Sequence, residues 1–138
     1  LVNLKPTLDA APERSWSELG LHDAALRAAT SLGFPRPNAL QAAAIPAALE
    51  SPRVLLAAET GAGKTLAILL PLISRLKAEE SIESPDTRLN PMPVRAVVLE
   101  PSDELVCQVA GVAKRLAHVA KLRVDAFEAL LRQARLAH

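Results

Sequence analysis

A glycine-rich stretch in the middle of the chain, residues 54–65, limits the possible folds more than any other feature. It begins with the apolar run 54–57, turns through Gly61 and Gly63, and leads into Lys64 and Thr65. Leucine and isoleucine then recur at helical spacing, at positions 66, 69, 70, 73 and 76. The order of strand, glycine-rich loop and helix is typical of a loop that binds phosphate.

The residue types in this loop suit a polyphosphate. Glycines have no Cβ, so backbone N–H groups can approach the phosphates closely, and the positive end of the new helix points to the same place. Lys64 would contact the β- and γ-phosphates, and the Thr65 hydroxyl would bind the Mg²⁺ that accompanies them. A chance glycine-rich turn is the alternative, but the agreement of all these features favours a phosphate loop. The predicted site comprises Thr60, Gly61, Ala62, Gly63, Lys64 and Thr65.

Apolar runs alternate with helical patterns along the chain. Strands are predicted at residues 53–57, 96–99 and 122–124, and a final helix would follow Asp125 with Phe127, Leu130 and Leu131 on one face. Such alternation predicts an α/β fold with a parallel sheet flanked by helices. We expect an extended lead-in at residues 1–15, one domain at 16–138, and a solvated surface loop at 79–93.

Helix boundaries are predicted from caps and prolines. Gly33 is placed to end the first helix, and Asn38 can cap the second. Pro46 is expected to bend or end that second helix, and Pro71 to kink the next one, which should reach residue 77 or 78. Residue 102 or 103 can cap a strong helix with Leu105 on its apolar face.

Composition narrows the function classes. The net charge of +1 gives no argument from charge for a nucleic-acid partner. Cys107 is the single cysteine, which excludes an internal disulfide and suits a reducing, intracellular compartment, without distinguishing nucleus, cytoplasm and organelle. No apolar run is long enough to span a bilayer, so no membrane association is expected.

Three blocks of sequence, in order and sensibly spaced, resemble the start of a DEAD-box RNA helicase. Residues 33–41, Gly-Phe-Pro-Arg-Pro-Asn-Ala-Leu-Gln, resemble that family's Q motif. Residues 58–65, Ala-Glu-Thr-Gly-Ala-Gly-Lys-Thr, match its phosphate loop, including alanine at the first position. Residues 101–105, Pro-Ser-Asp-Glu-Leu, are similar to its motif Ia. The resemblance implies a partial RecA-like P-loop NTPase lobe, with ATP and Mg²⁺ as ligands.

The resemblance also implies roles for matching residues. Gln41 should read the adenine edge, because a side-chain amide donates and accepts at once; without the motif it would be interpreted as a helix-surface amide. Phe34 should lie against the adenine ring, and Arg36 near the nucleotide. Trp16 occupies the family's upstream aromatic position, although a packing role is the commoner one for a single tryptophan.

Motif Ia implies RNA contact at Pro101, Ser102 and Asp103. The family usually has arginine where this chain has Asp103, and a carboxylate repels an RNA phosphate. We therefore expect RNA contact here to be weaker than in relatives and to depend on backbone N–H groups.

The later signatures of the family, including the Asp-Glu-Ala-Asp box and the second lobe, do not occur in these 138 residues. The three blocks predict the function of an ATP-dependent RNA helicase. Because the later signatures are missing, we interpret the chain as an N-terminal fragment that does not hydrolyse ATP alone. The alternative is a non-catalytic module that binds a nucleotide or a partner. A P-loop kinase or GTPase is disfavoured by Phe34 and Gln41. An incomplete sheet with an open edge predicts self-association.

Overall fold

The computed structural model describes residues 2–4, 14–82 and 93–127, and it is mostly helical. These described residues contain two short strands, one 3-10 helix and four α-helices. They are β1 (Val2–Leu4), the 3-10 helix (Trp16–Leu19), α1 (Asp23–Ser31), α2 (Ala39–Glu50), β2 (Val54–Leu56), α3 (Lys64–Ile82) and α4 (Asp103–Ala120).

The two strands pair in parallel, with Val2 opposite Val54 and Leu4 opposite Leu56. The strand predicted at 53–57 is therefore confirmed as β2. Its partner β1 lies in the predicted lead-in, where three residues are too few to show an alternating pattern. Residues 5–13 of that lead-in lie outside the described part of the chain.

Two predicted strands are wrong. Residues 96–99 and 122–124 have no regular structure, and Val97 and Leu99 are 71% and 88% exposed. A strand is held by backbone hydrogen bonds to a neighbour, and the paired strand of β2 is β1. Their apolar composition therefore predicted strands, but in the described part of the chain no neighbouring strand pairs with either segment. The parallel sheet flanked by helices is reduced, in the described residues, to one strand pair beside four helices.

The apolar core lies where α1, α3 and α4 meet, with the 3-10 helix and α2 against it. Its largest fully buried side chains are Leu19, Ile45, Leu70 and Leu116. Each contributes about 1.5–3 kcal/mol by leaving water. The hydroxyl of Ser74, itself buried, accepts a hydrogen bond of 2.7 Å from the His22 N–H, which fixes the start of α1 on α3.

Helix ends mostly follow the predicted caps. Gly33, just after α1, has a φ of 80°. Asn38 caps α2 and Ser102 caps α4. Pro46 does not end α2, which continues to Glu50, because burial of its apolar side chains compensates for the missing N–H.

The third helix is longer than predicted. It contains Pro71 and continues to Ile82, so residues 79–82 of the predicted surface loop are helical. Residues 83–92 of that loop and residues 128–138, which hold most of the predicted final helix, lie outside the described residues. Among the helices that are described, none has both the length and the apolar character needed to cross a bilayer.

Candidate nucleotide-binding site

The loop between β2 and α3, residues 57–63, is shaped by its two glycines. Gly61 has a φ of 83° and Gly63 a φ of 88°. Residues with a Cβ rarely adopt this backbone conformation. The Ala62 N–H donates to the Glu59 carbonyl at 3.3 Å and closes the turn. Helix α3 begins directly afterwards, at Lys64. The N–H groups of its first turn have no partners within the helix, so the backbone here suits an anion.

The Lys64 side chain is directed back across this loop. Its Nζ donates to the Ala58 carbonyl at 2.7 Å and to the Glu59 carbonyl at 2.6 Å. The ammonium group is thereby held against the first residues of the loop. These two bonds are already charge-assisted, because the donor is an ammonium, and a phosphate oxygen would add the attraction between opposite charges. A bound phosphate would therefore compete well for this lysine.

Gln41, at the start of α2, is buried against the same loop and is only 6% exposed. Its Nε2 donates to the Gly63 carbonyl at 3.3 Å, and its Oε1 accepts from the Asn38 N–H at 3.0 Å. A side-chain amide carries two N–H donors and two acceptor lone pairs. These two bonds use one donor and one lone pair, so within the described part of the chain one of each remains.

Asn38 contacts the loop as well, which its role as a helix cap did not predict. Its Oδ1 accepts from the Gln41 N–H at 2.9 Å, completing a capping box. Its Nδ2 donates to the Ala62 carbonyl at 3.0 Å. The cap itself was visible in the sequence from an Asn followed three residues later by a Gln. The contact with Ala62 joins residues 24 positions apart, and no local pattern indicates it.

Trp16 fixes the segment that precedes α2. The indole is 3% exposed, and its Nε1–H donates to the Phe34 carbonyl at 2.9 Å. The Phe34 ring itself is 54% exposed. Trp16 therefore packs in the core and also holds the backbone of the predicted adenine contact, so its two proposed roles are compatible.

Three further residues are predicted nucleotide ligands. Thr60 lies exposed in the loop, Thr65 is partly buried in the first turn of α3, and Arg36 is exposed between α1 and α2. Their contacts with a nucleotide stay predictions. The described residues contain no group of three His, Cys, Asp or Glu side chains placed to hold a metal ion. Thr65 stays the predicted protein ligand of the Mg²⁺ that accompanies the nucleotide.

The motif Ia residues lie at the start of α4. Pro101 and Ser102 are exposed, and the Ser102 hydroxyl accepts from the Leu105 N–H at 3.4 Å as the helix cap. Asp103 and Glu104 occupy the first turn. Acidic side chains there favour the helix but repel a phosphate, so the expectation of weak RNA contact remains a prediction.

Comparison with known proteins gives the family. Residues 38–135 match the model of the DEAD/DEAH box helicase family. This span includes both residues of the capping-box pair, Asn38 and Gln41, and the whole phosphate loop. The matched span covers most of the chain.

Individual relatives agree with this match. The chain is 42% identical over 113 residues to the pre-mRNA-splicing ATP-dependent RNA helicase PRP28 of Meyerozyma guilliermondii, covering 78% of this chain and 19% of that protein. It is 44% identical over 103 residues to the ATP-dependent RNA helicase SrmB of Escherichia coli, covering 75% of this chain and 22% of that protein. The chain thus spans about a fifth of the length of these relatives.

A solved structure is also similar. The crystal structure of the RNA helicase Prp28 from Chaetomium thermophilum bound to ADP superposes with a TM-score of 0.67 at 32% identity. The match covers 91% of this chain and 30% of that one. The mostly helical chain described above therefore corresponds to part of a RecA-like helicase domain.

Proposed function

The chain belongs to the DEAD/DEAH box helicase family, and we propose that it binds ATP as the nucleotide-binding part of an ATP-dependent RNA helicase. The single observation that carries this proposal is the convergence of three side chains on one loop. The amides of Asn38 and Gln41 and the ammonium of Lys64 all bond to backbone carbonyls between residues 58 and 63.

The loop fits a triphosphate. Two glycines with positive φ direct the backbone into a turn that ends in the N-terminus of α3. A Cβ at Gly63 would lie 2.6 Å from the Gln41 Nε2, so the loop leaves no room there for a side chain. Lys64 supplies a positive charge, and Thr65 supplies a hydroxyl next to it for Mg²⁺. When bound, Mg²⁺ would neutralise charge on the phosphate oxygens.

Adenine recognition is assigned to Gln41 and Phe34. The Gln41 amide is oriented by the Gly63 carbonyl and the Asn38 N–H, and it retains one donor and one acceptor. Adenine presents a donor and an acceptor side by side, whereas guanine presents two acceptors at the corresponding edge. The half-exposed ring of Phe34 offers an apolar surface for stacking. This pairing would favour ATP over GTP.

Hydrolysis and strand separation belong to the complete helicase. Phosphoryl transfer needs further groups that position the water and stabilise charge, and these 138 residues contain no Asp-Glu-Ala-Asp box. We propose that the chain alone binds nucleotide without turnover and that its contact with RNA, through residues 101–103, is weak. ATP hydrolysis by the purified chain above background would contradict this and would also exclude the non-catalytic module.

Binding of ATP and GTP in the presence of Mg²⁺, measured by isothermal titration calorimetry, tests the proposal. Lys64→Ala should weaken the binding of both nucleotides by roughly tenfold or more, because a hydrogen bond to a charged group contributes about 1.5–3 kcal/mol. Gln41→Ala should reduce the preference for ATP. Lys77→Ala is the matched control, since Lys77 lies on the same helix and pairs with Glu80. Equal affinity for ATP and GTP, unaffected by either variant, would exclude the function.

A further inference from the structure

We propose that Asn38 is a positioning residue of the phosphate loop, which orients the N–H group of Gly63 independently of the base. This inference rests on the proposed function and adds a residue to it. A helix cap needs only an acceptor, and the Asn38 Oδ1 supplies it to the Gln41 N–H. The amide nitrogen is not needed for the cap, and it bonds instead to the Ala62 carbonyl.

Two successive loop carbonyls are therefore held by α2. Asn38 holds that of Ala62 at 3.0 Å, and Gln41 holds that of Gly63 at 3.3 Å. In a planar trans peptide the carbonyl of one residue and the N–H of the next point in opposite directions. Fixing these carbonyls towards α2 thus directs the N–H groups of Gly63 and Lys64 away from α2. Those N–H groups stand at the end of the loop and the start of α3, where a phosphate would bind.

The close approach of the two amides depends on Gly63. A Cβ built on this residue would lie 2.6 Å from the Gln41 Nε2 and 2.8 Å from the Asn38 Nδ2. Both distances are shorter than real contacts of a Cβ, so the two amides occupy the space that a side chain would take. The glycine is required here by the amides of α2 as well as by its own positive φ.

Removal of the Asn38 amide and removal of the Gln41 amide should affect ligand binding differently. Gln41 is assigned to the base and to the loop, so its removal should change the choice between nucleotides. Within the described residues, the side chain of Asn38 bonds to two backbone groups, the Gln41 N–H and the Ala62 carbonyl. Its contribution should therefore be the same for any ligand that carries a polyphosphate. Binding of inorganic pyrophosphate, which has no base, therefore distinguishes the contribution of Asn38 from that of Gln41.

The test uses the full chain with Mg²⁺ and measures binding of pyrophosphate, ATP and GTP by calorimetry. Asn38→Ser keeps a good cap, because Ser and Asn rank alike at this position, but its short side chain does not reach Ala62. All three ligands should bind about three- to tenfold more weakly, the factor expected for one neutral hydrogen bond. The ratio of ATP to GTP affinity should stay that of the wild type.

Asn38→Asp is the second variant, because it keeps the shape and the cap while placing an acceptor opposite the Ala62 carbonyl. Its loss of affinity for the three ligands should exceed that of Asn38→Ser. His22→Ala is the control, since it removes the cap of α1 away from the loop. It should lower the unfolding midpoint without changing pyrophosphate affinity. An equal loss of affinity in the control would overturn the inference, since a general loss of stability would then explain the Asn38 variants.

The outcomes of this test distinguish the positioning role of Asn38 from the proposed function on which it rests. Wild-type binding that neither Asn38 variant weakens would overturn the positioning role alone. A loss confined to ATP would also overturn it, since the effect would then belong to the base. A wild-type chain that binds neither ATP nor pyrophosphate would overturn the proposed function and this inference together. Equal weakening of all three ligands, with stability retained, would support it.

Discussion

At the scale of single residues, the site depends on side chains that bond to backbone groups. Four side chains each donate to the carbonyl of a residue that lies outside the helices and strands: Lys64, Asn38, Gln41 and Trp16. Such bonds fix the path of loops, which have no ladder of their own. Their loss should therefore affect both the stability of the chain and the geometry of the loop that each one holds.

Replacing Trp16 with Phe should test the hydrogen bond between its indole and the Phe34 carbonyl. Phenylalanine keeps an apolar ring in the core but has no N–H for the Phe34 carbonyl, which lies 2.9 Å from the indole nitrogen. We expect the free energy of unfolding to fall by more than the value of one hydrogen bond, about 1 kcal/mol, because the smaller ring also leaves part of the buried indole volume unfilled. Urea unfolding followed by circular dichroism measures it. ATP should also bind more weakly, whereas pyrophosphate should not; a variant as stable as the wild type would contradict the role of this bond.

The carboxylate of Glu18 gives a prediction about pH. The Ser15 N–H, and then the Ser15 hydroxyl, donate to it at 2.6 and 2.7 Å and lower the pKa of Glu18. A lowered folded-state pKa adds stability that is present above the unfolded pKa and lost as pH falls through the folded one. Glu18→Gln should therefore be less stable than the wild type near neutral pH, with the difference disappearing in acid.

Titration of the Glu18 side-chain carbon by NMR checks the cause. Ser15→Ala removes the hydroxyl and keeps the backbone N–H, which is the larger influence. The pKa should rise part of the way to its ordinary value. A complete return would show that the backbone bond contributes nothing.

At the scale of elements, α2 and α3 are joined at both ends of α2. The amides at its start hold the phosphate loop, and Arg75 of α3 holds its end. One guanidinium nitrogen of Arg75 donates to the carbonyls of Ala48, Leu49 and Ser51, at 2.6, 3.3 and 2.8 Å. These carbonyls lie at the C-terminus of α2, where they lack helical partners and a positive charge is favourable.

Arg75→Met should loosen this junction. Methionine keeps much of the aliphatic stem but has no donor for the three carbonyls. Because Arg75 is exposed, we expect a loss of only about 1 kcal/mol in the free energy of unfolding. Urea denaturation measures it, with Arg75→Lys as the conservative comparison, which should lose less. Equal stability of wild type and Arg75→Met would show that the bonds do not stabilise the chain.

The sequence predicted the helices better than the strands. A helix makes its own hydrogen bonds, so the spacing of residues such as Leu66, Leu70 and Ile73 and the cap at Asn38 predicted where helices occur. A strand needs a partner, and neither the pairing of β1 with β2 nor the unpaired state of 96–99 is encoded locally. The phosphate loop was predicted for the same local reason as the helices. The bonds from Asn38 to Ala62 and from Trp16 to Phe34 were not, since they join distant residues.

At the scale of the whole molecule, apolar surface remains uncovered in the described residues. Val94, Val97, Leu99 and Phe127 are 71–90% exposed. An open groove of about 470 Å³ lies between α2, β2, α3 and residues 97–100. Exposed apolar patches of this kind favour association.

We expect the isolated chain to self-associate at micromolar concentration. Replacing Val97 and Leu99 with lysine should reduce association, because the charges would have to be buried with the apolar surface. Ala78→Lys, an exposed change on α3, is the control and should leave association unchanged. Sedimentation velocity measures it. A monodisperse wild-type monomer with a cooperative melt would contradict this prediction.

The position of Trp16 has a spectroscopic consequence. The sequence has one tryptophan and no tyrosine, so intrinsic fluorescence excited at the red edge of the absorption band comes from one buried indole. That indole is bonded to the backbone of Phe34, beside the surface assigned to the purine. Its emission should therefore respond when a nucleotide stacks there and stay silent when pyrophosphate fills the loop, so that the protein carries its own optical reporter of base docking.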